Sequence, residues 1–530
     1  MLFTSYEFIG FILILFAAYY LTPGKKQWIL LLAASYLFYF LADPVYLIYI
    51  LTTTVTVYLA TRHIGRIAEE QGAYIKANKS SLSKEEKKAY KAGMKSRQWK
   101  CLLACLLFNI GILAVVKYTN FVISNVNSVM RWTGSSSQLD FWDIALPMGI
   151  SFYTFQAVGY LIDVYRGVAQ AEQNPFKLAL FISFFPQLVQ GPISRFNDLK
   201  EGLFSEHRFQ ADTVCRGLQR ILWGYFKKMV IADRILTAVN TIIRDADSYR
   251  GAYVFVGMLF YALELYADFT GGIDITIGIA ETLGIKMAEN FNRPFFSKSI
   301  KEYWRRWHIT MGTWFTDYIF YPISVCKPML KFARFAKAHF GDVIGKRLPV
   351  YLSSFVVWFA TGIWHGASWN FIVWGLGNWV VIMISQELEP LYERFHNRFH
   401  VKDKFAFRLF QVIRTVLLMS CLRMFDCYRD VPLTFKMFGT MFTEWNWHIL
   451  WDGSLLQLGL SGLDYVILAA ATILLIAVSM IQRKESVRTQ IAAKSYPMRC
   501  LVWFGLFLCI LLLGAYGVGY DASQFIYNQF

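Results

Sequence analysis

YLSSFVVWFATGIWHGASWNFIVWGLGNWVVIMIS, residues Tyr351 to Ser385, runs for thirty-five residues without an Asp, Glu, Lys or Arg. Crossing a hydrocarbon core takes roughly 20 apolar residues, so this stretch reads as membrane-embedded. Working outward, Tyr6–Thr22, Trp28–Ala42, Val45–Thr61, Cys101–Val122 and Phe176–Ile193 come close to or reach that length before it, as does Ala252–Ile285. Phe407–Met424, Leu463–Ile481 and Leu501–Val518 follow it. Backbone polar groups in lipid must be satisfied within the chain. The fold class is therefore an all-α polytopic membrane protein of about eleven transmembrane helices plus re-entrant and interfacial helices.

Composition agrees: 56% of the 530 residues are hydrophobic, 18% aromatic and only 17% charged, denser in apolar runs than a water-soluble core can hide. The net charge of +17 does not indicate nucleic acid, because the Lys and Arg fall between apolar runs instead of on a soluble domain. The basic loop 62–100 is placed in the cytoplasm by the positive-inside rule, which puts both termini outside. The opening MLFTSYEFIGFILILF has no basic leader and no small-residue cleavage site, so it reads as a retained first span. Eight cysteines without a CxxC pair argue against a disulfide framework and a zinc site. No linker or repeat divides the chain, so residues 1–530 are read as one membrane domain with a motif core at 252–380 and a helical extension at 405–530. Leu218–Arg234, mixing Arg220, Lys227, Lys228 and Arg234 with aromatics, suits an interfacial amphipathic helix.

Ionisable side chains inside apolar runs are expensive and mark function by default. His365 lies within the opening stretch, and helical spacing puts Thr361, Gly362, Ser368 and Trp369 near it, leaving room for a substrate. A neutral imidazole can take a proton from an attacking hydroxyl and return it to a leaving group. It can equally be a core histidine satisfied by a carbonyl, and the residues alone leave both readings open. His308, in KSIKEYWRRWHITMGTWFTDYIFYPI, falls on the apolar face of a continuous helix with Trp304, Trp307, Met311 and Tyr318, where the residues alone favour a packing role. Asp268, Asp274 and Glu281 interrupt another apolar run; buried carboxylates need cations, and Arg305 and Arg306 are the expected partners, with Gly271 and Gly278 letting helices approach. No P-loop, dinucleotide fingerprint or HExxH occurs.

Several of these segments resemble the membrane-bound O-acyltransferase family, most nearly its bacterial alginate O-acetyltransferase branch: ENFNRPFFSKSIKEYWRRWHITMGTWFTDYIFYPI (289–323), TGIWHGASWNFIVWG (361–375), ALPMGISFYTFQAVGYLIDVYRG and FISFFPQLVQGPI. The resemblance implies a curved helical barrel with a central funnel, His365 as catalytic histidine and His308 as the second active-site histidine. Trp304, Arg305, Arg306, Trp307, Asp317, Tyr318, Ser368 and Asn370 become substrate-binding candidates. It also implies acetyl transfer from acetyl-CoA or an acylated carrier protein to an extracellular or cell-wall polysaccharide, with no tightly bound cofactor or metal and with an extracytoplasmic partner of SGNH-hydrolase type, in a bacterial plasma membrane. Where the family usually has Asp-Phe-Ser-Gly-Tyr-Ser-Asp, this chain has DFTGGID (268–274), which leaves the acceptor open. The alternatives are D-alanyl transfer to teichoic acids and, outside catalysis, a transporter or channel, for which two related halves would be expected and none is found.

Overall fold

The computed structural model describes residues 3–516, and among these every regular element is a helix. Six helices are long and apolar enough to cross a membrane, or seven if the bent pair Trp369–Glu387 and Glu389–Phe399 is one span. Eleven such helices are not found among the described residues. Tyr6–Leu21 and Gln27–Ala42 stop at 16 residues and Ile150–Arg166 at 17, fewer than the roughly 20 of a typical span. Phe176–Ile193 is no single helix. It breaks after Pro175–Ser183, because Pro186 has no N–H to continue the ladder. Of the expected span Leu501–Val518, Tyr496–Leu513 is helical, and Gly517 and Val518 lie outside the described residues.

The chain falls into two compact units, one comprising residues up to Val214 together with Ala280–Met287, the other Cys215–Ile279 and everything from Ala288 onward. In the first, the basic stretch 62–100 is not an irregular loop. It is the end of the helix Tyr46–Ala77 and the start of the helix Lys84–Trp132, joined by a short turn. Ser83 and Glu86 close a reciprocal capping box, with the Glu86 N–H donating to Ser83 Oγ (3.1 Å) and the Ser83 N–H to the Glu86 carboxylate (2.9 Å). At 49 residues Lys84–Trp132 is roughly 75 Å long, more than twice a hydrocarbon core, so its lysine-rich start projects beyond the lipid.

The second unit is built on Ala252–Thr282, whose apolar window is 61% buried. The segment read as an interfacial amphipathic helix packs against it. Ala211–Tyr225 runs into a π-helical stretch, Phe226–Ala232, and on into Asp233–Arg244. The wider turn carries two consecutive lysines inward: Lys227 Nζ is 2.6 Å from Asp274, and Lys228 Nζ is 2.6 Å from Asp268 and 2.8 Å from Asp233. Arg220 completes the set with Asp274 (2.9 Å) and Glu289 (2.6 Å). Asp268 and Asp274 are thus held by Lys228, Lys227 and Arg220, not by Arg305 or Arg306. Glycines permit the approach: a Cβ on Gly278 would stand 2.8 Å from the Gly217 carbonyl oxygen, and one on Gly224 2.6 Å from that of Gly271. Arg234 ties the C-terminal extension to this body, pairing with Asp464 and donating to the Leu513 carbonyl at 2.6 Å.

Candidate active site

The helix expected to run through His308 is interrupted there. Ile300–Arg306 ends, Trp307 is extended, His308 adopts the left-handed conformation (φ 46°, ψ 54°), and Ile309–Phe315 starts anew. A β-carbon makes that conformation costly, roughly 1–3 kcal/mol, so it persists only where neighbours impose it. Asn290 imposes it. Its carbonyl oxygen accepts from the Ile309 N–H (2.9 Å), while its side-chain Oδ1 accepts from the Thr310 N–H (3.1 Å) and Thr310 Oγ1 (2.9 Å). His308 Nδ1 lies 3.3 Å from the same Oδ1. Since Oδ1 is already an acceptor of two other donors, Nδ1 carries the proton and Nε2 the lone pair. The imidazole is fully buried, edge-on to Phe269 (5.0 Å) and Trp364 (5.9 Å).

His365 is the last residue of Lys327–His365, a helix turned at Gly341 (φ 75°, ψ 177°). Gly366 and Ser368 are extended, and Trp369–Glu387 begins directly after them. The small residues near His365 do not leave open space around it. A Cβ on Gly362 would stand 2.6 Å from the Phe371 carbonyl oxygen, and one on Gly366 2.1 Å from the Phe371 ring. Their function is to let the two helices touch, and aromatic rings enclose the imidazole: Trp374 at 4.6 Å, Trp364 at 5.0 Å and Phe371 at 6.4 Å. Trp364 therefore meets both histidines.

Trp304 and Trp307 join the same layer. Trp304 packs on Trp374 (5.7 Å) and donates Nε1–H to Asn378 Oδ1 (3.1 Å), and Trp307 stacks on Tyr303 (5.5 Å). The buried Arg423 guanidinium sits among Trp374, Trp307 and Trp304 at 4.8, 5.2 and 5.8 Å and pairs with Asp426 at 2.6 Å. The other candidates are more peripheral. Arg305 is exposed and Arg306 is engaged by Glu302. Asp317, half-buried, and Tyr318, which packs on Trp314 at 5.1 Å, lie on the π-helical stretch Thr316–Phe320. Ser368 Oγ donates to Asn370 Oδ1, and Asn370 Nδ2 to the Phe425 carbonyl (3.1 Å).

Sequence reading missed Asn290, Trp364, Trp374, Arg423 and Asp426 as parts of this site. Arg423 and Asp426 had a usable signal, being charges inside the apolar run Phe407–Met424 and its continuation. Asn290 had none, because its role exists only through a contact with a residue eighteen positions away.

Comparison with known proteins points to one family. The profile of the membrane-bound O-acyltransferase family matches residues 172–427, which contain both histidines and Arg423. The probable alginate O-acetylase of Azotobacter vinelandii is 30% identical over 451 residues, covering 84% of this chain and 79% of that one. The peptidoglycan O-acetyltransferase of Helicobacter pylori is 30% identical over 57% of each chain, and the teichoic acid D-alanyltransferase of Bacillus subtilis is 29% identical over 47% of this chain and 61% of its own. With its all-helical, multiply membrane-crossing fold, the chain belongs to the membrane-bound O-acyltransferase family and is an acyltransferase.

Proposed function

We propose that this acyltransferase takes an acetyl group from a cytoplasmic thioester, acetyl-CoA or an acylated carrier protein, and delivers it across a bacterial plasma membrane for O-acetylation of an extracellular or cell-wall polysaccharide. The observation that carries the reading is the convergence of His308 and His365, from separate elements, on one buried indole, Trp364. Similarity to an alginate O-acetylase over 84% of the chain, against 47% for a D-alanyltransferase, favours acetyl transfer to a glycan over D-alanyl transfer.

In this reading His365 is the general base. It takes the proton of an acceptor hydroxyl as the oxygen attacks the thioester carbonyl; the C–S bond breaks, and the imidazolium returns the proton to the departing thiolate. His308, its Nδ1–H fixed on Asn290, assists by orienting a reactant or by binding developing negative charge. Trp304, Trp307 and Arg423 form the wall that keeps water from the thioester. An SGNH-type partner outside the membrane receives the acetyl group or passes it to the glycan, and both termini face outward.

The experiment is the acetyl content of extracellular glycan in cells whose only copy is His365→Ala, with membrane levels of the variant measured alongside. General-base removal is worth about 10²–10⁴ in rate, so acetylation is lost at normal protein level. Retained acetylation would remove His365 from the chemistry.

A further inference from the structure

In the first unit the helices Tyr46–Ala77 and Lys84–Trp132 form a hairpin, and its outer end differs from the rest. From Leu103 to Val115 every exposed residue of the second helix is apolar. The change comes at Trp99, which is half exposed and whose ring lies 5.9 Å from that of Tyr165. Aromatic rings at the end of an apolar face mark a membrane surface, so the helix leaves the hydrocarbon at Trp99. Four lysines continue it into water. Lys84, Lys88, Lys91 and Lys95 recur at the spacing that lines one side of an α-helix, and all four are exposed.

The charges on this face do not cancel. The acids nearest in sequence, Glu85 and Glu86, fall at other positions of the helix, and Glu86 is held by the cap at Ser83. Lys95 is anchored on Tyr165, donating to its carbonyl at 2.6 Å with the ammonium 3.5 Å from the ring centre. Lys84, Lys88 and Lys91 make no hydrogen bond or ion pair with any described residue. The hairpin beneath them is braced: Tyr74 and Tyr90 stack across the two helices at 4.2 Å, and Gln98 Nε2 donates to the Ile64 carbonyl at 3.2 Å. Distance decides what the three lysines can meet. Along the axis, Lys91 stands roughly 12 Å and Lys84 roughly 22 Å from Trp99. Charge is screened over about 8 Å at physiological ionic strength, so lipid headgroups at the level of Trp99 are out of their reach.

We propose that this face docks an acidic protein and, resting on the acetyl-transfer reading above, that the docked protein is the carrier bearing the acetyl thioester. Lys84 to Lys91 spans roughly 10 Å of rigid helix. Coenzyme A holds its charges in one phosphate cluster, which meets one or two of these positions. A protein helix with carboxylates at the same spacing meets all three, and complementary charge of this kind steers encounter as well as holding it. Of the two donors that reading allows, the carrier is the one with a surface of this length. The positive-inside rule puts the hairpin on the cytoplasmic side, from which the donor comes.

The test has two parts. The first measures binding of acyl carrier protein, with and without an acetyl group on its phosphopantetheine, to the full chain in phosphatidylcholine nanodiscs. The wild type binds both forms. Lys84→Gln/Lys88→Gln/Lys91→Gln weakens binding about tenfold, the weight of three exposed ion pairs together. Lys100→Gln/Lys402→Gln/Lys404→Gln, which removes three exposed charges off this face, leaves it unchanged. The second part follows thiol release from acetyl-carrier and from acetyl-CoA in inverted membrane vesicles, which keep the cell's own acceptor. There the first triple variant raises KM for acetyl-carrier about tenfold and leaves kcat unchanged. Absent binding, an equal loss in the two triple variants, competition by coenzyme A at the carrier's own concentration, an equal loss with single-stranded RNA as the probe, or thiol release from acetyl-CoA alone would each overturn the proposal. Lysine-dependent binding with thiol released from neither donor would instead sink the acetyl-transfer reading and leave the docking face in place.

Discussion

Asn290→Ala tests how the site is held. The side-chain oxygen accepts from the Thr310 N–H at 3.1 Å, from Thr310 Oγ1 at 2.9 Å and from His308 Nδ1 at 3.3 Å, and Asn290 is completely buried. Removing it leaves three donors without their acceptor at a site water does not reach, each worth about 1–3 kcal/mol, the long His308 contact least. Relaxation of the left-handed backbone at His308 returns roughly 1–2 kcal/mol. The net loss is about 3 kcal/mol, read as a lowered thermal midpoint of the purified protein in detergent. Activity falls further than stability explains. Without the acceptor on Nδ1 the imidazole loses its fixed tautomer, and acetyl transfer per folded molecule drops about 100-fold. Asn290→Asp separates the two effects. It keeps acceptor oxygens and gives up no donated bond, since Nδ2 has no partner among the described residues, so it restores much of the turnover. Thr310→Val removes one of the three contacts without touching the histidine, costs about 1 kcal/mol and leaves turnover near wild type. A folded Asn290→Ala protein with unchanged turnover would refute the positioning argument.

Two further substitutions examine the packing around the histidines. Arg423→Met strands Asp426 in the aromatic layer and lowers the thermal midpoint by the equivalent of about 3–5 kcal/mol, and adding Asp426→Leu recovers most of it; equal losses in the single and double variants would show that the pair is not the source. Gly362→Ala drives a methyl into the Phe371 carbonyl and costs about 1–3 kcal/mol, whereas Gly10→Ala, with nothing within 4 Å, leaves the midpoint unchanged. Equal effects at the two glycines would remove close helix approach as the explanation.

The histidines were legible as exceptions, polar groups in apolar runs, and Arg423 and Asp426 carry the same mark. Their surroundings were not legible. Helical spacing placed small residues beside His365, but the helix ends at that residue and the next one folds back, so Phe371 and Trp374 fill the expected space. The acidic partners of the cations in Leu218–Arg234 were not legible for a related reason. A cation at helical spacing reads as solvent-facing until an acid on another helix is known to meet it, and Asp268 and Asp274 lie forty and forty-seven residues from Lys228 and Lys227.

What the sequence determined by itself is the solvent and the class of fold: thirty-five residues without a charge belong in lipid, and a backbone in lipid closes its own hydrogen bonds as helices. Only the tertiary structure decided which charges neutralise one another, where a helix breaks, and which face of each histidine is enclosed. Those choices depend on contacts between residues far apart in the chain. His308 is left-handed because Asn290, on another segment, takes the hydrogen bonds that a continuing helix would have made.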